Sequence, residues 1–284
     1  PGTPPWNTLQ HKAGWYLRAS GSGGWLSDHE RPLCLHADGE RVFVGAAIAE
    51  AGHAIVQAGP DGRKQWGTLW LSLSGAHAIA TEGDILYVAG EKGWMGDYLA
   101  VNRLNLKTYG WVGNPPDVKK RRTDACFVKE KSSDFSGIRG MVIMPHGMVL
   151  SLADRDRLAV FDRETAAHVR DVPLPGAGAI VKRKDGVVLG ISGRTVVQID
   201  MEQGRHRSLV TQELLCPGGL GVDSAGRIYV SDIDPSEQCV KVFSPEGRLV
   251  RRIGKPGGRR EGRFDPLAMG QPVAVAVDSR DQVW

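Results

Sequence analysis

The sequence predicts an all-β fold, specifically a β-propeller of about six four-stranded blades. The unit "GLGVDSAGRIYVSD" consists of an alternating apolar stretch, a turn and a second such stretch. Comparable units recur with turns 39 to 64 residues apart, and a period near 40 residues is typical of radial β-repeats. Almost no segment shows the 3.6-residue apolar period of an amphipathic helix. The six copies are 32–45, 76–90, 140–152, 179–191, 219–232 and 272–284.

Two further strands follow most copies of the unit. A β-branched alternating segment comes next, and then a turn such as "SPEGR" leads into a fourth short strand such as "RLVRRIG". Alternation with β-branched residues is typical of half-buried strands, so each unit predicts one four-stranded antiparallel blade. The third strands are expected at 54–59, 98–104, 158–164, 196–202 and 240–247.

The composition is that of an ordinary folded protein. Hydrophobic residues make up 41% and charged residues 24% of the 284 residues, and the 37 glycines and 16 prolines are scattered among predicted turns. The net charge of +4 is too small to favour a nucleic-acid partner. No apolar run reaches the ~20 residues of a membrane-spanning helix, so we expect no membrane span.

The two ends of the chain differ from the repeat. Residues 1–31 are a candidate for a strand that closes the ring, and residues 32–284 form the predicted propeller. The last unit, 272–284, has signals for two strands only, so we expect a truncated last blade. The chain begins with "PGTPPW", without an initiator Met or a signal peptide, which indicates a processed chain or a fragment.

The segment "PGGLGVDSAGRIYVSD…QCVKVFSPEGRLVRRIGKPG" carries a family resemblance. It resembles NHL repeats, closely over 216–284 and loosely, but in register, over 32–215. The resemblance departs at His146 in the third turn and at the acidic residue that three blades lack after their second strand. It implies a propeller of about six blades and no single activity, because this fold serves binding modules and enzymes alike. The family's frequent occurrence outside the cytoplasm implies a periplasmic or secreted protein.

Blade topology predicts which loops share a face. The loop that enters the first strand of a blade and the loop between its second and third strands lie on one face of the disc, here called the entry face. Binding residues concentrate on such loops because rigid strands position them. The entry loops are 25–32, 73–78, 114–140, 173–179, 214–219 and 258–272, and the second set is 46–53, 91–97, 153–157, 192–195 and 231–238.

Three histidines fall on the entry face near blades 1 and 2: His29, His53 and His77. Neutral imidazoles beside carboxylates are typical ligands of Zn²⁺, and NHL-type amidating lyases bind zinc near the axis. Alternatively, His29 caps a strand, His53 faces solvent and His77 fills the axis. The acidic turn 231–237 is a candidate for Ca²⁺ or an ordinary structural turn.

Cations also collect on the entry face. The insertion at 119–124 is either an anion-attracting loop or a solvated one, and its charge would be screened by salt. Aromatic residues are not interleaved with these cations, which disfavours single-stranded nucleic acid. The candidate ligand-binding residues are Lys119, Lys120, Arg121, Arg122, Arg155, Arg194 and Asp232, together with Arg139 for a substrate carboxylate.

The four cysteines are too few and too irregular for a disulfide framework or a zinc ribbon. Cys216 and Cys239 are the one candidate pair, and the alternative is that all four are structural thiols.

The sequence leaves two functions open. Gly-x-Ser-x-Gly, His-Glu-x-x-His and phosphate-loop motifs are absent, which favours a recognition module that binds a protein or an anionic polymer or glycan on the entry face. The second hypothesis is a metal-dependent lyase or hydrolase. It would use His29, His53 and His77 as ligands and Arg139 for the substrate carboxylate.

Overall fold

The computed structural model describes residues 31–47, 53–70, 75–93, 96–112, 127–131, 137–145, 147–259 and 265–284. These residues form five antiparallel sheets, and the four principal strands of each sheet follow chain order. The β-propeller class is therefore confirmed. No helix in the described ranges is long and apolar enough to cross a membrane.

The first two blades contain nine strands. Blade 2 has an additional strand, β9, which pairs with β7 beside the regular four. Blade 1 consists of Arg31–Asp38 (β1), Arg41–Ala47 (β2), His53–Ala58 (β3) and Lys64–Trp70 (β4); blade 2 consists of Ala78–Glu82 (β5), Ile85–Gly93 (β6), Gly96–Asn105 (β7), Gly110–Trp111 (β8) and Val128–Lys131 (β9).

Blades 3, 4 and 5 each contain four strands, and a single 3-10 turn at Ala153–Arg155 connects β11 to β12. Blade 3 consists of Ile138–Met144 (β10), Gly147–Leu152 (β11), Arg157–Phe161 (β12) and His168–Pro173 (β13); blade 4 consists of Ala177–Lys182 (β14), Val188–Ser192 (β15), Thr195–Asp200 (β16) and Arg205–Val210 (β17); blade 5 consists of Pro217–Val222 (β18), Ile228–Asp232 (β19), Cys239–Phe243 (β20) and Leu249–Ile253 (β21).

Within its described residues the structure has five complete four-stranded blades, where the sequence predicted about six with the last one truncated. Residues 274–284 occupy a sixth ring position as a short hairpin, in which Ala276 and Trp284 exchange two backbone hydrogen bonds. This hairpin lies beside β18 and also contacts blade 1, where the Ser279 amide donates to the Gly39 carbonyl at 2.9 Å. Among the described residues the ring therefore has five complete blades and one two-stranded position.

Both faces of an interior blade are apolar, and this alternation builds the core. In β12, Leu158 and Val160 pack against blade 4, whereas Ala159 and Phe161 pack against blade 2. Successive strand residues point to opposite faces, so one short strand supplies two interfaces. The core is thus a series of layers between neighbouring blades.

Near the axis the innermost strands approach so closely that side chains must be small. A Cβ on Gly140 would lie 2.7 Å from the Ile180 amide nitrogen, and one on Gly219 would lie 2.6 Å from the Ala274 Cα. Both distances are too short for a side chain. Glycine at these positions lets the first strands of adjacent blades converge around a narrow channel.

The acidic turn residue of the repeat accepts several hydrogen bonds that hold the turn together. Asp223 accepts hydrogen bonds from the amides of Ala225 and Arg227 and from the Tyr229 hydroxyl. In the sixth position, Asp278 in the same way accepts two backbone amides and the Trp284 indole N–H. The aspartate that begins this turn therefore stabilises the connection between the first two strands of a unit.

Candidate functional site

The innermost strands surround an axial channel with a volume of about 430 Å³. Its wall is built from β1, β5, β10, β14 and β18 and from residues 273–279 of the sixth position. One mouth opens on the entry face. The other mouth opens on the turns between first and second strands, here called the turn face. Segments far apart in sequence therefore meet at one cavity. Its volume lies in the range of pockets that bind small molecules in folded proteins.

Arg139 is the exposed cation at the entry mouth. It lies in β10 and lines the channel together with His77, Gly218 and Val273. Its guanidinium donates a long 3.4 Å hydrogen bond to the carbonyl of Ile138. None of the described carboxylates forms an ion pair with it, so its charge is available to a ligand at the channel mouth.

Arg155 and Arg194 lie on the same face, in the loops between the second and third strands of blades 3 and 4, and both are exposed. The Arg194 Nε donates to the Leu214 carbonyl at 3.1 Å, which orients the side chain. Hydrogen bonds from Ser236 lower the pKa of Asp234, and the charge of Arg194 adds to that effect. Arg194 is thus partly balanced by Asp234.

The structure corrects the ligand-binding role predicted for Asp232. Its side chain is fully buried, and its carboxylate accepts the amides of Leu215 and Cys216 at 2.9 Å each. It also accepts the ammonium group of the fully buried Lys241 at 2.9 Å. Asp232 therefore holds the entry loop of blade 5 from within, and no face of it is open to a ligand.

The acidic turn around Asp232 has the structural arrangement rather than an open set of oxygen ligands. Asp234 accepts both the amide and the hydroxyl of Ser236, and Glu237 lies 3.2 Å from the Lys241 ammonium. These carboxylates are satisfied by donors of the protein itself. Across the described part of the chain, no group of three or more His, Cys, Asp or Glu side chains is placed to hold a metal ion.

Two of the three predicted histidines, His53 and His77, lie within the described residues. His77 is half-buried and lines the entry mouth, and its amide donates to the Ala89 carbonyl at 2.9 Å. His53 begins the third strand of blade 1, opposite Ala47 and Trp70. His29 and the cationic segment 119–122 lie outside the described residues.

His36 lies in β1 and is part of the channel wall. Its Nε2 lies 2.8 Å from the Thr81 hydroxyl and so connects blades 1 and 2. Burial lowers the pKa of His36 to about 4, against the charge of Asp38, and the charges of Arg41 and Lys182 lower it further. The imidazole is therefore neutral at physiological pH, and its contact is a neutral hydrogen bond.

Cys34 and Cys239 do not supply a nucleophile. The Cys34 thiol donates to the Ala76 carbonyl at 3.2 Å, and burial raises its pKa to about 12. Burial likewise raises the pKa of Cys239 to about 11. Thiols with such pKa values are protonated at neutral pH and unreactive. Cys216 and Cys239 are both free, so the candidate disulfide between them is absent.

Comparisons with known proteins identify the fold. No protein-family model matches the sequence, and no curated protein gives a significant match. A Bacteroides thetaiotaomicron structural genomics protein of unknown function is similar over 95% of this chain and 70% of its own, with 13% identity and a TM-score of 0.63.

Two lyase structures have the same fold. A catalytically inactive virginiamycin B lyase from Staphylococcus aureus with quinupristin covers 89% of this chain and 76% of its own, at 13% identity and a TM-score of 0.55. A streptogramin B lyase covers 89% of both chains, at 12% identity and a TM-score of 0.56. At these identities the likeness shows a shared β-propeller fold and carries no activity over to this chain.

The neutral state of His36 predicts a pH-dependent stability. Between pH 6.5 and about 4 the unfolded chain binds a proton that the folded chain does not, so the free energy of unfolding falls as the pH is lowered through this window. A pKa shift from 6.5 to about 4 would correspond to roughly 3.5 kcal/mol, since one pKa unit corresponds to about 1.4 kcal/mol. Because His36 is only half-buried and solvent screens its charge, we expect a loss of about 2 kcal/mol in the free energy of unfolding. Denaturant titrations at several pH values measure it.

Two variants separate this effect from that of the carboxylates. His36→Gln keeps a polar partner for Thr81 and does not titrate, so its unfolding free energy should depend less steeply on pH. His206→Gln, on the exposed outer strand of blade 4, should follow the wild type. Parallel curves for wild type and His36→Gln would contradict the assignment.

Proposed function

We propose that this chain is an NHL-type binding module that takes an anionic group of a protein or polymer at the entry mouth of its axial channel. The observation that carries the proposal is Arg139, an exposed guanidinium at the rim of the cavity with no described carboxylate as its partner. A guanidinium presents a planar set of donors that matches carboxylate, sulfate and phosphate groups.

The neighbouring arginines extend this surface. Arg155 and Arg194 lie on blades 3 and 4, the former in the same blade as Arg139, and both are exposed. Arg139 lies in strand β10, and Arg155 and Arg194 lie in short loops anchored by strands, so a ligand meets these charges in a fixed arrangement. Charges of this kind raise the rate and specificity of association more than the affinity, and salt screens them.

The proposed setting is extracytoplasmic, with the protein periplasmic or secreted. The NHL-like repeat pattern of residues 216–284 supports this setting, since such repeats often occur in exported proteins. Anionic glycans and acidic protein surfaces are ligands that such a module would meet there.

Substitution of Arg139 tests the proposal on defined probes. Titration calorimetry of the full chain with a heparin oligosaccharide and with polyglutamate, at about 50 mM and about 200 mM salt, should show salt-sensitive binding to at least one of them. Arg139→Gln should weaken that binding about tenfold, because a hydrogen bond to a charged group contributes about 1.5 kcal/mol.

The matched control is Arg205→Gln, which removes an equally exposed cation from the outermost strand of blade 4. It should leave the affinity unchanged. Equal losses in the two variants, or no binding of either probe by the wild type, would reject an anion site at the entry mouth.

A metal-dependent lyase or hydrolase is the second candidate, and the fold shared with two lyases favours it. In that case His29, His53 and His77 would hold zinc, and Arg139 would bind the substrate carboxylate. Elemental analysis of the purified protein discriminates between the candidates. The lyase requires about one zinc per chain that is lost in a His29→Ala, His77→Ala variant, whereas the binding module predicts equal metal content in variant and wild type.

A further inference from the structure

The second mouth of the channel, on the turn face, carries three successive cations. Lys182 is the last residue of the first strand of blade 4, Arg183 and Lys184 follow it in the turn, and all three line the channel. In the repeat register, Arg183 stands where blade 5 and the sixth position have Asp223 and Asp278. Blade 4 therefore replaces an acidic turn by a basic one at the rim.

Two carboxylates of this mouth point into their own blades. Asp223 is 7% exposed and Asp278 is 5% exposed. Each accepts two backbone amides and one aromatic side-chain donor, and Arg227 pairs with Asp223 as well. Donors within the turns compensate the charges of both carboxylates, and the two side chains expose little surface to the channel.

The remaining carboxylates of the rim are also engaged. Asp38 pairs with Arg41 at 2.6 Å, and Glu40 pairs with Arg280. Asp185 forms an ion pair with Arg183, and Asp281 accepts both the hydroxyl and the amide of Ser224. Each rim carboxylate thus has a partner other than the two lysines.

Lys182 and Lys184 form no ion pair with any described carboxylate, and both are exposed. The Lys182 ammonium donates to the Ile143 carbonyl of blade 3 at 2.5 Å, which fixes its position and leaves two N–H groups free. Both lysines are among the residues that line the channel at its turn-face end.

The effects on neighbouring blades agree with this placement. After burial, which is the largest cause, the charge of Lys182 contributes to the lowered pKa of His36 on blade 1. Hydrogen bonds from Ser224 are the main cause of the lowered pKa of Asp281 in the sixth position, and the charge of Lys184 adds to it. The field of the two lysines therefore extends across the opening to other ring positions.

We propose that Lys182 and Lys184 form a second binding site, at the turn-face mouth, for a phosphoryl-type anion. Lysine binds phosphate as a compact point charge with several donors, and two such groups suit a small multivalent anion. The site is separate from the entry mouth and does not depend on the function proposed there. Its ligand is either free phosphate or a phosphoryl group on a larger molecule.

Calorimetric titration of the full chain with pyrophosphate, inorganic phosphate and O-phosphoserine tests this site, with sodium chloride at matched ionic strength as the blank. Wild type should bind pyrophosphate, and the Lys182→Gln, Lys184→Gln double variant should lose at least tenfold in affinity. Lys107→Gln removes an exposed lysine that pairs with Asp84 in blade 2 and should not change binding. In an Arg139→Gln background, which removes the cation of the entry mouth, the double variant should cause the same loss.

The three probes distinguish the two sources of the anion. Tighter binding of O-phosphoserine than of inorganic phosphate assigns the site to a phosphorylated ligand, and equal or weaker binding assigns it to the free ion. The proposal is overturned if wild type does not bind pyrophosphate, or if the double variant binds it as wild type does.

An NMR titration of His36 gives a readout that does not depend on folding stability. The groups facing its imidazole are the Thr81 hydroxyl and the charges of Asp38, Arg41 and Lys182. An anion bound at the lysines favours the imidazolium, so saturation with pyrophosphate should raise the pKa of His36 by at least half a unit. In the folded double variant pyrophosphate should leave it unchanged, and an equal rise there would contradict the site.

Discussion

Burial of both faces of the interior blades is the constraint on which the rest of the structure depends. In β12 the residues that alternate from Leu158 to Phe161 are apolar and buried on both sides. Such a sheet needs a neighbour on each face, and a row of sheets would leave two faces exposed to water. A closed ring is the arrangement that covers all of them, and residues 274–284 supply the contact between blades 5 and 1.

Closure has a direct consequence for function, because it brings distant segments to one axis. The two mouths of the channel then differ in electrostatics although both carry cations. At the entry mouth Arg139 forms no ion pair with a described carboxylate, and on the same face the Asp232 carboxylate is buried against Lys241. At the turn-face mouth Lys182 and Lys184 stand among carboxylates that are occupied by their own turns. Between them the neutral His36 adds a hydrogen bond and no charge.

The architecture could be predicted from the sequence because its signals are local. A strand, a turn glycine and a second strand lie within about 15 residues, so the units and most strands agree with those observed; the predicted third strand at 240–247 contains most of Cys239–Phe243. Blade topology also placed Arg155 and Arg194 on one face with Arg139. The number of complete blades was harder to predict, because the strand pairing of the last unit depends on residues outside that unit.

The roles of single charges could not be predicted in the same way. Asp232 has the sequence context of an exposed loop end, and its burial follows from Lys241 on the adjacent strand. The segment "VKRKDG" at 181–186 has the pattern of an ordinary solvated turn. Its lysines become candidates for an anion site only because Asp223 and Asp278, which belong to other ring positions, turn away from the channel. His29 and Lys119–Arg122 stay predictions, since they lie outside the described residues.

Ring closure is tested most directly by a cross-link across the first and last units. Glu40 and Arg280 are 240 positions apart in the chain, and the Arg280 Nε lies 2.8 Å from a Glu40 carboxylate oxygen. The Glu40→Cys, Arg280→Cys variant, treated at low protein concentration with a bismaleimide whose spacer matches the reach of the two replaced side chains and mapped by mass spectrometry, should form an intramolecular cross-link between the two new cysteines in high yield. If instead both cysteines reacted with the reagent but were linked only between chains or not at all, the blades would not radiate about one centre, and neither channel mouth would exist.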